Sequence, residues 1–186
     1  MSHAFLTGKV VALRAIERAD APVILPWVND QRVIEQLLIH RPTSLAAEEA
    51  FIDSLSRSDH DVVFGVAELE SGRLVGVCGL HRIDTKNRHA EFGIFIGESD
   101  ARGKGLGSEA TALIIRYGFD TLNLHRVWLR VYEDNKPALK AYEKVGFRRE
   151  GLLRQDSFRR GRYWNTIVMG LLRADWKKAA ARGRRG

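Results

Sequence analysis

Hydrophobic residues recur along this chain at two spacings, and each spacing predicts one kind of element. Alternating or continuous apolar runs between turn residues predict strands, whereas apolar residues three and four positions apart predict helices. The strand-like runs are 9–13, 62–69, 74–80, 90–96, 126–132, 147–153 and 163–172. The helix-like runs are 21–30, which contains Pro26, and 44–55, 105–122 and 136–144.

The order of these runs predicts the fold class. Ser71-Gly72 separates two strand-like runs and indicates a β-hairpin. Strands and helices then alternate before the chain closes on strands. This order favours an α/β (α+β) fold in which helices cover a central, mostly antiparallel sheet. Because no linker or repeat interrupts the pattern, we expect a single domain over residues 1–176.

Composition narrows the class of protein. The 186 residues are 45% hydrophobic and 28% charged, which is typical of a soluble globular protein. Cys78 is the only cysteine, so no internal disulfide forms, as expected in the cytoplasm. No secretory signal is visible, and no apolar run approaches the roughly 20 residues that cross a bilayer. Because no run is long enough to cross a bilayer, we expect no membrane partner. No cluster has metal-ligand spacing, so we also expect no metal.

The net charge of +7 is concentrated at one end of the chain. Five basic residues without an acidic neighbour crowd the last ten positions: Lys177, Lys178, Arg182, Arg184 and Arg185. Without them the charge is +2. We therefore expect residues 177–186 to form a basic, disordered tail, with a weak electrostatic contact as the alternative. A nucleic-acid partner is not expected, because no basic residues interleave with aromatic ones on a strand platform.

The segment from Ala101 to Ser108, with the sequence ARGKGLGS, lies between a predicted strand and a long predicted helix. Glycines allow close approach of an anion, and a helix N-terminus offers free N–H groups and a partial positive charge. Arg102 and Lys104 add full charges, and Ser108 adds a hydroxyl. The segment predicts a phosphate-binding loop, with a flexible turn as the alternative. It matches neither the Walker pattern nor the dinucleotide-binding pattern with its βαβ context.

A second motif lies about thirty residues further on, where Asn135 begins the segment NKPALKAYEKVGF. Asn135 is expected to cap a helix that Lys136-Pro137 begins and Gly146 ends. Tyr142 follows Asn135 by two helical turns, so both residues can face the same side.

Together the two segments resemble the cofactor motifs of the GNAT superfamily of N-acetyltransferases. Arg102-Gly-Lys-Gly-Leu-Gly107 matches the Arg/Gln-x-x-Gly-x-Gly/Ala loop, and the segment from Asn135 to Phe147 matches the second motif. Leu13–Arg18 and Gly161–Gly170 resemble the branch that contains Rim-type protein N-terminal acetyltransferases and spermidine acetyltransferases. The resemblance covers the chain from about Val10 to Trp176.

The resemblance implies a GNAT fold, whose twisted sheet is split in a V around acetyl-CoA. It implies that backbone groups of Phe95, Ile96 and Gly97 contact the pantetheine arm. The pyrophosphate is then held by Arg102, Gly103, Lys104, Gly105, Gly107 and Ser108, with Asn135 and Lys144 near the cofactor. By the same analogy the protein forms a homodimer.

The implied reaction is direct attack of a primary amine on acetyl-CoA in a ternary complex. The departing thiolate benefits from a proton, and Tyr142 is the candidate acid, with a core role as the alternative. Glu91 is the candidate base or substrate contact, with a structural ion pair to an arginine as the alternative.

The acceptor is expected to lie against the region 20–55. Trp27 and Asn29 are the candidate substrate residues there, and Trp27 is equally compatible with a core position. The region before Glu48 holds only three acids, Asp20, Asp30 and Glu35. We therefore expect a protein or peptide N-terminal α-amine. The alternatives are a small-molecule amine (a polyamine, aminoglycoside or amino sugar) and a CoA-binding module without catalysis.

Overall fold

The computed structural model describes residues 3–37 and 41–183. Their strands are β1 (Ala4–Thr7), β2 (Val11–Arg14), β3 (Val62–Glu68), β4 (Leu74–Asp84), β5 (His89–Ile96), β6 (Arg126–Tyr132), β7 (Arg148–Arg159) and β8 (Arg162–Leu172). Their α-helices are α1 (Ala21–Asn29), α2 (Gln31–Ile34), α3 (Leu45–Leu55), α4 (Leu106–Asp120), α5 (Lys136–Val145) and α6 (Arg173–Gly183). Short 3₁₀ turns cover Arg18–Asp20 and Ser99–Ala101.

The strands form one sheet in the order β1-β2-β3-β4-β5-β6-β8-β7. Strands β5 and β6 run parallel and pair through His89–Arg126, Ala90–Val127 and Glu91–Trp128. The pairs β1–β2, β2–β3, β3–β4, β6–β8 and β7–β8 are antiparallel. The predicted α/β class with a mostly antiparallel sheet is confirmed, whereas the V-shaped split stays a prediction.

The sequence pattern missed three elements. Strand β1 has only four residues, and its Phe5 is 61% exposed, so it lacks a half-buried alternation. Helix α2 is also four residues long and begins at Asp30, whose side chain accepts from the Arg32 amide.

The third missed element is α6, which extends into the region 177–186 that the sequence predicts to be a basic tail. Helix α6 continues to Gly183, and residues 184–186 lie outside the described range. The ring of Trp176 packs on Phe119 with centroids 5.5 Å apart, and this contact anchors the helix. Three consecutive alanines, 179–181, then favour its continuation.

The chain divides into two compact units. The first comprises residues up to Arg82 together with Gly93–Ile114, and the second comprises Ile83–Phe92 and the residues from Ile115 onward. The core of the first unit includes a cluster of side chains from α1, α3 and β4: Ala21, Ile24, Trp27, Val28, Ile52 and Leu74. Across residues 3–37 and 41–183, no helix combines the length and apolar character that crossing a membrane requires.

Candidate active site

The glycine loop connects the end of β5 to the start of α4. Gly103 has φ +76° and Gly105 has φ +82°, a left-handed conformation that glycine adopts readily and other residues rarely adopt. A β-carbon at either position would meet no atom within 4 Å, so backbone conformation rather than crowding accounts for glycine. The 15-residue helix α4 begins directly afterwards at Leu106, so its free amide groups and positive dipole end lie at the loop.

Arg102 ties this loop to the strand that precedes it. Its Nε donates to the Ile96 carbonyl at 3.0 Å, and a terminal nitrogen donates to the Gly97 carbonyl at 3.2 Å. Two of the three guanidinium nitrogens are therefore engaged with backbone. Arg102 thus helps to shape the loop, and its contact with the pyrophosphate stays a prediction. Lys104 is exposed, and Ser108 is half-buried in the first turn of α4.

Gly97 is less available to the pantetheine arm than the sequence suggested. Its amide donates to the Val75 carbonyl at 2.9 Å, and its carbonyl accepts from Arg102. Both backbone groups of Gly97 thus have partners within the protein, and the predicted contact of its backbone with the pantetheine arm stays a prediction. Phe95 and Ile96 are half-buried in β5, and their contact with a pantetheine arm stays a prediction.

Trp27 belongs to the core rather than to an exposed substrate wall. The residue is 6% exposed, and its ring meets Phe95 edge-on with centroids 6.3 Å apart. Its indole Nε1 donates to Glu98 Oε1 at 3.1 Å. Trp27 therefore takes the core position that the sequence left open, and its contact with substrate stays a prediction.

Asn29, at the end of α1, binds the backbone of Thr43 just before α3. Its amide nitrogen donates to the Thr43 carbonyl at 2.8 Å, and its amide oxygen accepts from the Thr43 N–H at 2.9 Å. Both ends of the side chain are thus engaged with one residue of backbone. Asn29 thus has a structural role in this segment, and its contact with substrate stays a prediction.

Glu109 holds the first turn of α4 against the connection between β1 and β2. Its carboxylate accepts the backbone N–H groups of Lys9, Val10 and Val11 at 2.7, 2.8 and 3.0 Å. Burial opposes the charged form, but these hydrogen bonds and the nearby Lys9 outweigh it and lower the pKa of Glu109. The sequence analysis missed this residue, because the bond joins positions about 100 apart.

Tyr142 lies on α5 between two phenylalanine rings. Its ring meets Phe92 edge-on at 6.1 Å between centroids and Phe147 at 5.9 Å. Burial raises the pKa of Tyr142 to about 12, so the hydroxyl keeps its proton at physiological pH. Asn135 caps the helix as predicted, since its side chain accepts from the Ala138 N–H at 3.2 Å. Lys144 is exposed in the last turn.

Glu91 forms an ion pair with Arg130. The residue is 8% exposed, and its Oε1 accepts from Arg130 Nε at 3.0 Å. The two residues lie on the paired strands β5 and β6. This is the structural ion pair that the sequence left open as the alternative to a catalytic base.

His81 and Asp61 form a pair that the sequence analysis did not single out. His81 Nδ1 lies 3.1 Å from Asp61 Oδ1, and the side chain of His81 is 37% exposed. The register of the β3–β4 hairpin brings the two residues together. Val62 pairs with Leu80, so Asp61, which precedes Val62, lies next to His81, which follows Leu80.

A family comparison decides the class of this protein. The model of the acetyltransferase (GNAT) domain matches residues 11–148, which include the glycine loop and Tyr142. The chain belongs to the GNAT acetyltransferase family. It is therefore an N-acetyltransferase by family, and the predicted resemblance is confirmed.

Individual GNAT relatives cover most of the chain. The spermidine N(1)-acetyltransferase of Escherichia coli K12 is 33% identical, over 86% of this chain and 84% of its own length. A putative ribosomal N-acetyltransferase of Bacillus subtilis is 28% identical, over 90% of this chain and 93% of its own. The crystal structure of a Vibrio cholerae spermidine N-acetyltransferase in complex with CoA and spermine superposes with a TM-score of 0.85. It is 29% identical, over 91% of this chain and 99% of that one.

Two further observations concern Cys78 and possible metal ligands. Cys78 is 1% exposed, and burial raises the pKa of its thiol, which disfavours the reactive thiolate. Cys78 is therefore a core residue. Among the residues that the structure describes, no three histidine, cysteine or acidic side chains group as metal ligands.

Proposed function

We propose that this chain transfers the acetyl group of acetyl-CoA to a primary amine, and that the amine belongs to a small molecule such as a polyamine. The main observation in favour of acetyl-CoA binding is the loop before α4, in which two glycines have a left-handed conformation. Such a loop presents backbone N–H groups to a pyrophosphate. The spermidine acetyltransferases among the relatives support the choice of acceptor.

The residues present fit acetyl-CoA. Gly103, Gly105 and Gly107 leave the backbone open, Lys104 supplies an exposed charge and Ser108 a hydroxyl. Acetyl-CoA supplies an acetyl group already activated as a thioester. Arg102 and Glu109 hold the loop from its two ends through backbone hydrogen bonds. Contacts from Phe95, Ile96, Asn135 and Lys144 complete the proposed cofactor site.

Tyr142 is the proposed proton donor to the departing thiolate. Its buried hydroxyl has a pKa of about 12, so it donates a hydrogen bond throughout the neutral range. A thiol of pKa about 8.5 is the stronger acid. The hydroxyl therefore stabilises the departing thiolate mainly as a hydrogen-bond donor, and it gives up its proton only when the nitrogen that attacked returns a proton to its oxygen.

A protein or peptide α-amine is the second candidate acceptor, and charge pairing in the first unit favours it. Asp20 pairs with Arg14 at 2.7 Å, and Asp30 pairs with Arg32 at 2.8 Å. Arg18 pairs with both Glu49 and Asp53. A polycation prefers carboxylates that lack such partners, whereas a single α-amine requires fewer charges.

Thiol release from acetyl-CoA with a panel of amines tests the acceptor. The panel contains spermidine, spermine, an aminoglycoside, an amino sugar and N-terminal peptides. We expect the highest kcat/KM with a polyamine. A higher value with peptides would select the second candidate. Acetyl-CoA binding without turnover of any amine would support the remaining alternative, a CoA-binding module without catalysis.

The other expectations stay proposals. They are a cytoplasmic location, a homodimer, a single domain over residues 1–176, and the absence of nucleic-acid and membrane partners. Size-exclusion chromatography with light scattering measures the oligomeric state directly.

A further inference from the structure

We propose that His81 is a catalytic residue, whose Nε2 removes a proton from the acceptor amine, and that Asp61 is its positioning residue. The inference rests on the proposed acetyl transfer and deepens it by naming the group that activates the nucleophile. An amine attacks only in its neutral form, so a base within reach of the ammonium group accelerates the reaction.

The hydrogen bond to Asp61 fixes the imidazole tautomer. Nδ1 lies 3.1 Å from the Asp61 carboxylate, so Nδ1 carries the proton and Nε2 presents its lone pair. Asp61 is itself held, because Ser58 Oγ donates to it at 2.9 Å and the Arg82 N–H at 3.3 Å. A carboxylate that orients the far nitrogen of a histidine is the arrangement found behind many histidine bases.

The imidazole ring lies over two glycines of neighbouring strands. A β-carbon at Gly79 would lie 2.6 Å from His81 Nε2, and one at Gly93 would lie 3.7 Å from it. A side chain at Gly79 would therefore displace the ring. Nε2 has no hydrogen-bond partner among the described residues, and the side chain is 37% exposed. The basic nitrogen is thus accessible.

The position of Gly93 along β5 supports placing His81 near the reacting end of acetyl-CoA in the proposed cofactor site. The proposed pyrophosphate loop follows the carboxyl end of β5, and the proposed pantetheine contacts lie just before it. An arm that continues in the same direction brings its thioester toward residue 93.

His81 also lies on the face of β5 that packs on α1, in the region where the acceptor is expected. Phe92 contacts Tyr142, whereas Phe95 contacts Trp27. Because successive residues of a strand point to opposite faces, Gly93 shares the face of Phe95. His81 therefore lies on the same face of β5 as Phe95, which is the face that packs on Trp27 of α1.

The proton and electron balance is complete with these residues. His81 Nε2 takes one proton from the ammonium group, and the nitrogen lone pair forms the new C–N bond at the thioester carbonyl. The C–S bond breaks, and its electron pair leaves on sulfur, which takes the Tyr142 proton. The nitrogen then gives its surplus proton to the Tyr142 oxygen, and His81 releases its proton to water.

Glu91 is less suited to this task. Its carboxylate is engaged with Arg130, and its side chain is 11% exposed against 37% for His81. We therefore assign proton removal to His81 and treat Glu91 as a structural partner of Arg130.

The test compares His81→Ala with His3→Ala, which changes an exposed histidine near the chain start. We expect His81→Ala to lower kcat about 100-fold or more, with acetyl-CoA affinity by calorimetry unchanged within about twofold. Added imidazole should restore part of kcat in His81→Ala, which a purely structural defect would not allow. Asp61→Asn should lower kcat less, by roughly tenfold, and His3→Ala should match the wild type.

The outcomes separate the two proposals. Wild-type kcat in His81→Ala, or a loss that imidazole does not restore, would overturn the role of His81 while the acetyl transfer stands. Wild-type protein that turns over no amine would overturn the proposed function and this assignment with it. If Glu91→Gln lowered kcat strongly and His81→Ala did not, Glu91 rather than His81 would be the base.

Discussion

The indole of Trp27 lies directly over Gly97, so that a β-carbon at position 97 would collide with the ring. Trp27 comes from α1, and Gly97 directly follows β5, where the turn toward the glycine loop begins. The end of β5 is therefore fixed by packing as well as by hydrogen bonds. This contact couples the first core cluster to the segment proposed to hold acetyl-CoA.

Replacing Gly97 with alanine should destabilise the fold through this contact. Overpacking of this kind costs about 1–3 kcal/mol, and we expect a lower urea midpoint for Gly97→Ala. Gly151→Ala is the matched control, because a β-carbon there would meet only Val168, at 4.0 Å. The double variant Gly97→Ala with Trp27→Leu should lose less than the sum of the single variants, since the smaller side chain makes room. Additive losses would contradict direct contact.

The left-handed glycines of the loop should matter for acetyl-CoA in particular. Gly105→Ala forces a side chain into φ +82°, at a cost of about 1–2 kcal/mol. Gly72 in the β3–β4 turn has φ +70° and equally open surroundings, so Gly72→Ala carries a similar strain elsewhere. Calorimetry should show at least tenfold weaker acetyl-CoA binding for Gly105→Ala alone. Equal affinities in the two variants would argue against a cofactor role for the loop.

Glu109 should stabilise the fold in a pH-dependent way. Its pKa is lowered in the folded state, so its contribution is present above the unfolded pKa of about 4.3. The contribution is lost as pH falls through the lower folded pKa. We expect Glu109→Gln to lose roughly 1–2 kcal/mol of unfolding free energy at pH 7, and the gap from wild type to shrink near pH 3. Exposed Glu70→Gln should show neither effect.

Tyr142 should leave a signature at alkaline pH. A proton donor must be protonated to act, so activity is lost as pH rises through its pKa. With that pKa near 12, kcat/KM should show no falling limb between pH 7 and 10. Tyr142→Phe should lower kcat about 100-fold and leave acetyl-CoA affinity within about twofold. A falling limb near pH 8–9 that disappears in Tyr142→Phe would contradict the buried hydroxyl seen here.

Local patterns in the sequence located most elements and the two cofactor motifs. The alternation at Arg126–Tyr132 and the Asn135 cap are short-range signals, and the structure reproduces both. The sequence also placed the glycines at 103 and 105 in the predicted phosphate-binding loop, and their positive φ is a local property.

The sequence did not predict the roles of residues whose partners lie far away along the chain. Trp27 and Asn29 were candidate substrate residues because they lie in the region 20–55, and no local pattern showed that they contact Gly97 and Thr43. Glu109 depends on amides about 100 residues away. The pairing of His81 with Asp61 required the exact strand register, which hydrophobic periodicity alone leaves open.

The most direct test of the account is mass spectrometry of the protein with acetyl-CoA, in the presence and absence of spermidine. The account predicts acetylated spermidine in amounts equal to the released CoA, no acetyl group on the protein, and negligible CoA release without the amine. Release of CoA without any acetylated amine, or an acetylated protein that forms before spermidine is added, would contradict direct transfer in a ternary complex.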